Sequence, residues 1–255
     1  MNTFSIKVFL LGACDLEMLT IKQILDCRDG CVVVDKQLDW HNAFLSAFKE
    51  DIPLYCDYDI YGIELQEDIP VPKNYHRIDH HNDWENKPSA LEQIASILGL
   101  ELNRYQQLVA ANDRGYIPEM LSMSATNQEI DMIRRADRLA QGVSEEEEQM
   151  AEDAIANAMS LHGSLIVVKS PSSHFSPICD RLYPFKHLLV YNDAEWVFYG
   201  EGKKQLVGLL AGEIKKNNIY HGGSDMGFIG AAKGCYDKET ILRFVKRIVQ
   251  DYECV

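Results

Sequence analysis

Apolar and polar positions follow one another along the chain in blocks whose period changes several times. Residues 6–12, IKVFLLG, are an apolar run closed by glycine, which predicts a buried strand. Residues 15–25 carry many apolar side chains and neither proline nor glycine, so they predict a helix. The β-branched run CVVV at 31–34 predicts a second strand. Trp40, Ala43, Phe44, Ala47 and Phe48 recur at helical spacing and predict one face of an amphipathic helix. IPLYC at 52–56 and YHRI at 75–78 read as a third and a fourth strand. Residues 89–98 predict a helix opened by the capping box Ser89/Glu92 and closed by Gly99. Strands that alternate with helices in this way predict an α/β fold: a parallel sheet with helices on both faces.

Beyond Asp113 the pattern changes. Residues 127–141 and 145–161 predict two long helices with capping boxes Thr126/Glu129 and Ser144/Glu147. Strand-like runs then return as LIVVKS, HLLVYND and EWVFYGE. A helix at 205–214, a glycine-rich stretch and a last helix at 240–252 complete the chain. The expected division is an α/β domain over 1–125, a helical connector over 126–163, and a smaller α/β domain over 164–255.

Composition narrows the class. With 46% hydrophobic and 25% charged residues, the 255-residue chain reads as an ordinary soluble protein. No apolar run approaches the ~18–20 residues of a membrane span, so no membrane partner is expected. The amino-terminal segment reads as a first strand rather than a signal peptide. The seven cysteines form no CxxC pair, which fits reduced thiols and a cytoplasmic location. The net charge of −14 is concentrated before residue 164, and 164–255 are close to neutral. Such a field repels long duplex nucleic acid and draws divalent cations. The near-neutral part is the better host for an anionic ligand. Acidic runs such as 145–148 read as solvated helix faces.

Candidate chemistry gathers at the strand ends. Asp15, Asp57 and Asp79 each come just after an apolar, strand-like run. In an open parallel sheet all strands share one carboxyl edge, where ligands bind. Adding Glu17, His80 and His81 gives an oxygen-rich cluster with imidazole. Clustered carboxylates repel one another, and a bound dication relieves the repulsion. Hard oxygen donors with imidazole suit Mn²⁺ or Mg²⁺ better than Zn²⁺. Two such ions ~3.5–4 Å apart are a recurring device for phosphoryl transfer, with a carboxylate such as Asp57 able to bridge them. Taken alone, an acid at a strand end is as readily a helix N-cap or turn residue, and Asp35 reads that way. The coincidence of several acids with a histidine pair on one edge favours the metal reading.

The segment RIDHHN at 77–82 resembles the signature of the DHH phosphoesterase superfamily. That superfamily includes exonucleases, oligoribonucleases, cyclic-dinucleotide phosphodiesterases and family II pyrophosphatases. The resemblance extends over most of the chain. The superfamily's first motif, H-x-x-x-D-x-D, corresponds to residues 11–17, LGACDLE. Its second and fourth acids correspond to Asp57 and Asp113. The resemblance implies Asp15, Glu17, Asp57, His80 and Asp113 as ligands of one or two Mn²⁺ ions, with Mg²⁺ as the alternative. It implies Asp79 as the residue that orients His80, and His81 as the group facing the substrate phosphate. Leu11 stands where the motif has histidine, and Glu17 where it has aspartate. A single-ion site, a site completed by Cys14, and an inactive remnant therefore all remain open. HGGSDMGFIGAAKG at 221–234 resembles the glycine motif of the DHHA1 substrate-binding domain. Gly222 and Gly223 match it, and Ser224-Asp225 replaces the usual Gly-His, which leaves His221 as a substitute phosphate contact.

These readings lead to one expected function and two rivals. The expected function is metal-dependent hydrolysis of a short oligonucleotide or small nucleotide phosphodiester at a cleft between two domains, with His81 and Asp79 as catalytic residues. The first rival is a weak or inactive nucleotide-binding or regulatory protein on the same fold. The second is an inorganic pyrophosphatase, against which the second domain lacks a clear Arg/Lys cluster for a compact tetra-anion. A homodimer is compatible with the sequence and not required by it.

Overall fold

The computed structural model describes residues 6–39, 42–81, 87–161, 164–214, 219–222, 227–232 and 238–253. The chain divides into two compact units, residues 1–141 and 142–255. The division falls inside the span expected as a connector, so its two helices go to different units.

The first unit is built on a parallel sheet of β1 (Lys7–Leu11), β2 (Cys31–Asp35), β3 (Asp59–Ile63) and β4 (Tyr75–Ile78), in the order β2-β1-β3-β4. Leu11 pairs with Asp35 and Ile63, and Ile63 with Ile78, so the four strands end level. Residues that follow each strand therefore meet at one carboxyl edge. Alternation splits each strand between two faces. Val8, Leu10 and Ile60 point into a core with Ala43, Leu45, Phe48 and Leu65. Phe9 and Tyr61 stack at 5.1 Å between ring centroids. Four helices complete the unit: α1 (Leu16–Asp26), α2 (Ala90–Leu98), α3 (Arg104–Ser122) and α4 (Asn127–Ala140), with α1 against the other three. Short 3-10 turns at Leu45–Phe48 and Ile52–Tyr55 belong to the segment between β2 and β3.

Two expectations are corrected here. The amphipathic helix expected near 40–48 is a 3-10 turn entered by an extended Phe44 (Trp40 lies outside the described residues). Backbone bonds Leu45 N–H to Gln66 O and Gln66 N–H to Ala43 O hold the segment beside the sheet. Its apolar residues are still buried, but by a different backbone path. The strand expected at 52–56 is also a 3-10 turn, and the third strand begins only at Asp59. Pro53 explains the difference: it has no N–H for a sheet ladder and suits the first turn of a helix.

The second unit opens with α5 (Glu145–Ala156), which stops short of the expected residue 161, because β5 (Met159–Leu161) pairs antiparallel with β6 (Leu165–Lys169). It continues with α6 (Ser176–Leu182), β7 (His187–Tyr191), β8 (Glu195–Gly200), α7 (Lys203–Ile214), β9 (Ile219–Gly222), β10 (Phe228–Ala232) and α8 (Lys238–Glu253). The sheet order is β5-β6-β7-β8-β10-β9, with only β6 and β7 parallel. Trp196, Phe198, Leu206, Leu210, Ile241 and Val245 are among the residues of its apolar core. The glycine-rich stretch supplies β9 and β10 where it is described. Among the described residues no helix is long and apolar enough to cross a membrane.

Candidate metal centre

Each side chain at the carboxyl edge is placed by a local feature of its own. After β1 the chain turns at Gly12 and enters α1, whose N-cap is Asp15; its Oδ1 accepts the Met18 N–H at 2.8 Å. In the first turn of that helix Glu17 is buried, and its Oε1 accepts the Leu91 N–H of α2 at 3.0 Å. Glu64 follows β3 directly, in the left-handed region at φ 51°, with its N–H donated to the Ile78 carbonyl. Asp79, His80 and His81 follow β4. Asp113 lies in α3, two residues ahead of a kink in which Tyr116 has φ 60°.

Asp79 is the hub of the triplet. Its Oδ2 takes the Arg77 guanidinium at 2.6 Å, and its Oδ1 takes the His81 N–H at 2.9 Å and faces His81 Nδ1 at 3.1 Å. Burial alone would raise the Asp79 carboxyl, but these bonds hold it well below the usual carboxylate range. The aspartate is thus seen to hold His81, where the resemblance implied that it orients His80. The His80 ring lies 4.3 Å from that of His81, and its Nε2 is 2.5 Å from Asp113 Oδ2 and 3.5 Å from Glu64 Oε1.

Glu17, Glu64, His80 and Asp113 each bring one donor atom within 4.8 Å of the other three. Glu17 Oε2, Glu64 Oε1, His80 Nε2 and Asp113 Oδ2 are all buried without a hydrogen bond of acceptable geometry. Buried polar atoms are nearly always satisfied; here His80 Nε2 and Asp113 Oδ2 face each other, and one cation among the four donors would satisfy them together. Three carboxylate oxygens and one imidazole nitrogen have the donor chemistry of a hard divalent cation. These residues therefore fit a metal ion, although its identity is not fixed by their geometry.

The electrostatics agree. Burial, then the charges of Glu64 and Asp113, push the Asp15 carboxyl well above its ordinary value. Burial, Asp113 and Glu64 do the same to Glu17. Burial would lower the imidazoles, yet the acids prevail: Asp113 and Glu64 raise His80 to about 11, and Glu64 and Asp79 raise His81 to about 9. Burial likewise opposes ionisation of Asp113, but His80 lowers it. Protons on two histidines do here what a cation would do.

The residues expected from sequence divide into three groups. Glu17, His80 and Asp113 come together, with Asp79 and His81 beside them. Asp57 does not: it is exposed and precedes β3, so it lies toward the amino end of a sheet whose ligand edge is at the other end. Glu64 stands in its place. Sequence reading missed Glu64, although the alternation in DIYGI at 59–63, free of proline, marks the strand before it. Asp15 is partly buried next to the cluster and serves as an N-cap. Cys14 is exposed, with Sγ 4.0 Å from the Ala140 carbonyl, and is not one of the gathered donors. Leu11, at the position where the resembled motif has histidine, is buried at 2% exposure.

In the second unit, His221 and Gly222 belong to β9, and the Gly222 carbonyl accepts from Lys203 Nζ at 3.2 Å. Gly223 and Ser224 lie outside the described residues. The 170–174 loop is tied to α5: Ser172 Oγ donates to Glu147 Oε1 at 2.6 Å, and His174 Nδ1 lies 2.8 Å from the same oxygen.

No family model matches the sequence, and no curated protein matches it. Solved structures do. One, described as a DHH domain of a member of the s1p family of ribosomal proteins, superposes with a TM-score of 0.54 at 13% identity, covering 96% of this chain and 87% of the other. Another, described as a pGpG-specific phosphodiesterase from Vibrio cholerae, gives a TM-score of 0.47 at 11% identity, covering 99% of each chain. The protein is thus similar in fold to that DHH-domain structure, an α/β architecture whose parallel sheet here carries Asp79-His80-His81 at its carboxyl edge.

Proposed function

We propose that this protein is a divalent-cation-dependent phosphoesterase that acts on a short oligonucleotide or small nucleotide. One observation carries the reading: four buried donor atoms, from α1, the residues just after β3 and β4, and α3, lie within 4.8 Å of one another. Glu17, Glu64, His80 and Asp113 would hold the ion, for which Mn²⁺ or Mg²⁺ is the natural choice. A bound dication supplies Lewis-acid polarisation of a phosphoryl oxygen and acidifies water. Asp79 holds His81 through its backbone and its Nδ1, which leaves Nε2 for a phosphoryl oxygen. That imidazole is placed to stabilise charge developing on the phosphoryl group. Arg77 fixes Asp79 from behind and so keeps the His81 ring in place. A small substrate agrees with the net charge of −14, which disfavours long duplexes.

A second reading has its own support. Buried Leu11 and the capping role of Asp15 leave the place of a second ion without its usual ligands, which favours one ion and a slow or purely binding protein.

The test is Mn²⁺-dependent release of mononucleotide from a dinucleotide. His80→Ala and Asp79→Ala should each lower turnover by about 10²-fold or more, while Asp57→Ala should match wild type. Full activity in both the His80 and the Asp79 variants would overturn the hydrolase reading. Tight nucleotide binding with Mn²⁺ and no product would select the binding protein instead.

A further inference from the structure

Arg134 is not among the gathered donors, yet it is only 6% exposed inside the first unit. Its charge is met by Asp137 on the same helix, α4, at 2.7 Å, and Gln141 donates to the same Asp137 oxygen at 3.0 Å. Other contacts turn toward α3. Nη1 donates to Asn112 Oδ1 at 2.8 Å, and the guanidinium lies over the Tyr116 ring, 4.6 Å from its centroid. Asn112 immediately precedes Asp113. Tyr116 is the left-handed residue of the kink that follows it, at φ 60° and ψ −148°.

Segment 112–116 cannot hold itself by helical bonds alone. Gly115 and Tyr116 leave helical geometry, and Pro118 has no N–H to return to the preceding turn. A left-handed tyrosine is strained and persists only where its surroundings fix it. A single planar guanidinium touches both sides of Asp113, through Asn112 before it and Tyr116 after it. On the opposite side, Arg114 bonds Glu92 of α2 and Glu119 beyond the kink.

We propose that Arg134 is a positioning residue for the cation site. Through Asn112 and Tyr116 it sets the orientation of Asp113 toward Glu17, Glu64 and His80. Nη1 alone serves both Asp137 and Asn112, so what a lysine lacks is the flat guanidinium that covers the Tyr116 ring. The proposal rests on the metal centre described above, and the experiment separates the two.

Mn²⁺ is titrated calorimetrically into the full chain, and thermal unfolding of the metal-free protein is followed in parallel. Asn112→Ala leaves the Arg134–Asp137 pair intact, and Arg134→Lys keeps the buried charge neutralised, so both are expected to fold. Each should weaken Mn²⁺ binding by about 10-fold or more, with the metal-free melting temperature changed by no more than a few degrees. A purely structural role would do the reverse, lowering the melting temperature and leaving affinity untouched, and that result overturns the proposal. Loss in Asn112→Ala with wild-type affinity in Arg134→Lys also overturns it, because the guanidinium would then be dispensable. A wild-type protein that binds no Mn²⁺ sinks the metal centre itself, together with any residue argued to position it.

Discussion

A Cβ built on Gly12 would lie 2.4 Å from the Glu64 carbonyl oxygen and 2.5 Å from that of Ile63. This close approach of β1's end to β3's end is what brings the Glu17 and Glu64 segments together. Glu64 itself sits at φ 51°, an uncommon conformation for a residue with a side chain. Strain of this kind collects at functional positions and is sustained by surrounding contacts, here the bond from Glu64 N–H to Ile78 O at 2.8 Å. Gly12→Ala should therefore destabilise the protein by about 1–3 kcal/mol or more and abolish Mn²⁺ binding. Gly208, exposed within α7, has nothing within 4 Å of a built Cβ. Gly208→Ala should instead stabilise by about 0.5–1 kcal/mol. Urea midpoints of the two variants measure the contrast. Equal effects would mean that the Gly12 approach imposes no constraint.

Among the elements, the anchoring of the 170–174 loop on α5 makes a second prediction. Glu147 stands in the first turn of α5 and accepts from Ser144 N–H, Ser172 Oγ and His174. Burial opposes its ionisation, but these bonds bring its carboxyl down to about 2. A depressed carboxylate contributes stability above its unfolded value and loses it as pH falls through the folded value. Glu147→Gln keeps the capping-box geometry and removes the charge. It should cost about 1–2 kcal/mol near pH 7, and the gap to wild type should close between about pH 4.5 and 2. Urea unfolding at pH 7 and pH 3 reads this directly, and a gap independent of pH would refute it.

The same scale shows what the sequence made legible. β1, β2 and β4, the capping boxes of α2, α4 and α5, and β6, β7 and β8 of the second unit are marked by period and punctuation, whereas β5, β9 and β10 are not. The histidine pair after β4 followed from that. Glu64 does not, because IPLYC mimics a strand in composition despite its proline and so points to Asp57 as the acid that follows. Asp113 was found, but not the kinked helix that holds it, since Gly115 and Pro118 resemble a helix end in sequence. Arg134 gave no local signal at all. Its partners lie on another helix, and only folding brings them to it.

At the level of the whole molecule, the four donors are spread from residue 17 to residue 113, all within the first compact unit. A cation bound to them closes three loops of chain at once, and ordering of that kind is felt by every element that supplies a ligand. Without it, Glu17, Glu64 and Asp113 face one another as acids, relieved only by protons on the histidines. Binding to the native state alone stabilises by RT ln(1 + [L]/Kd), about 2.7 kcal/mol at a hundredfold excess over Kd. Because the second unit has a core of its own, that gain should stay local where the units open separately. Hydrogen exchange with and without Mn²⁺ should then show slower exchange in β1, α1, β3, β4 and α3, while amides of residues 142–255 keep their metal-free rates. Slowing confined to residues 142–255 would place the cation elsewhere and dissolve the metal centre. Equal slowing throughout would mean that the two cores unfold as one.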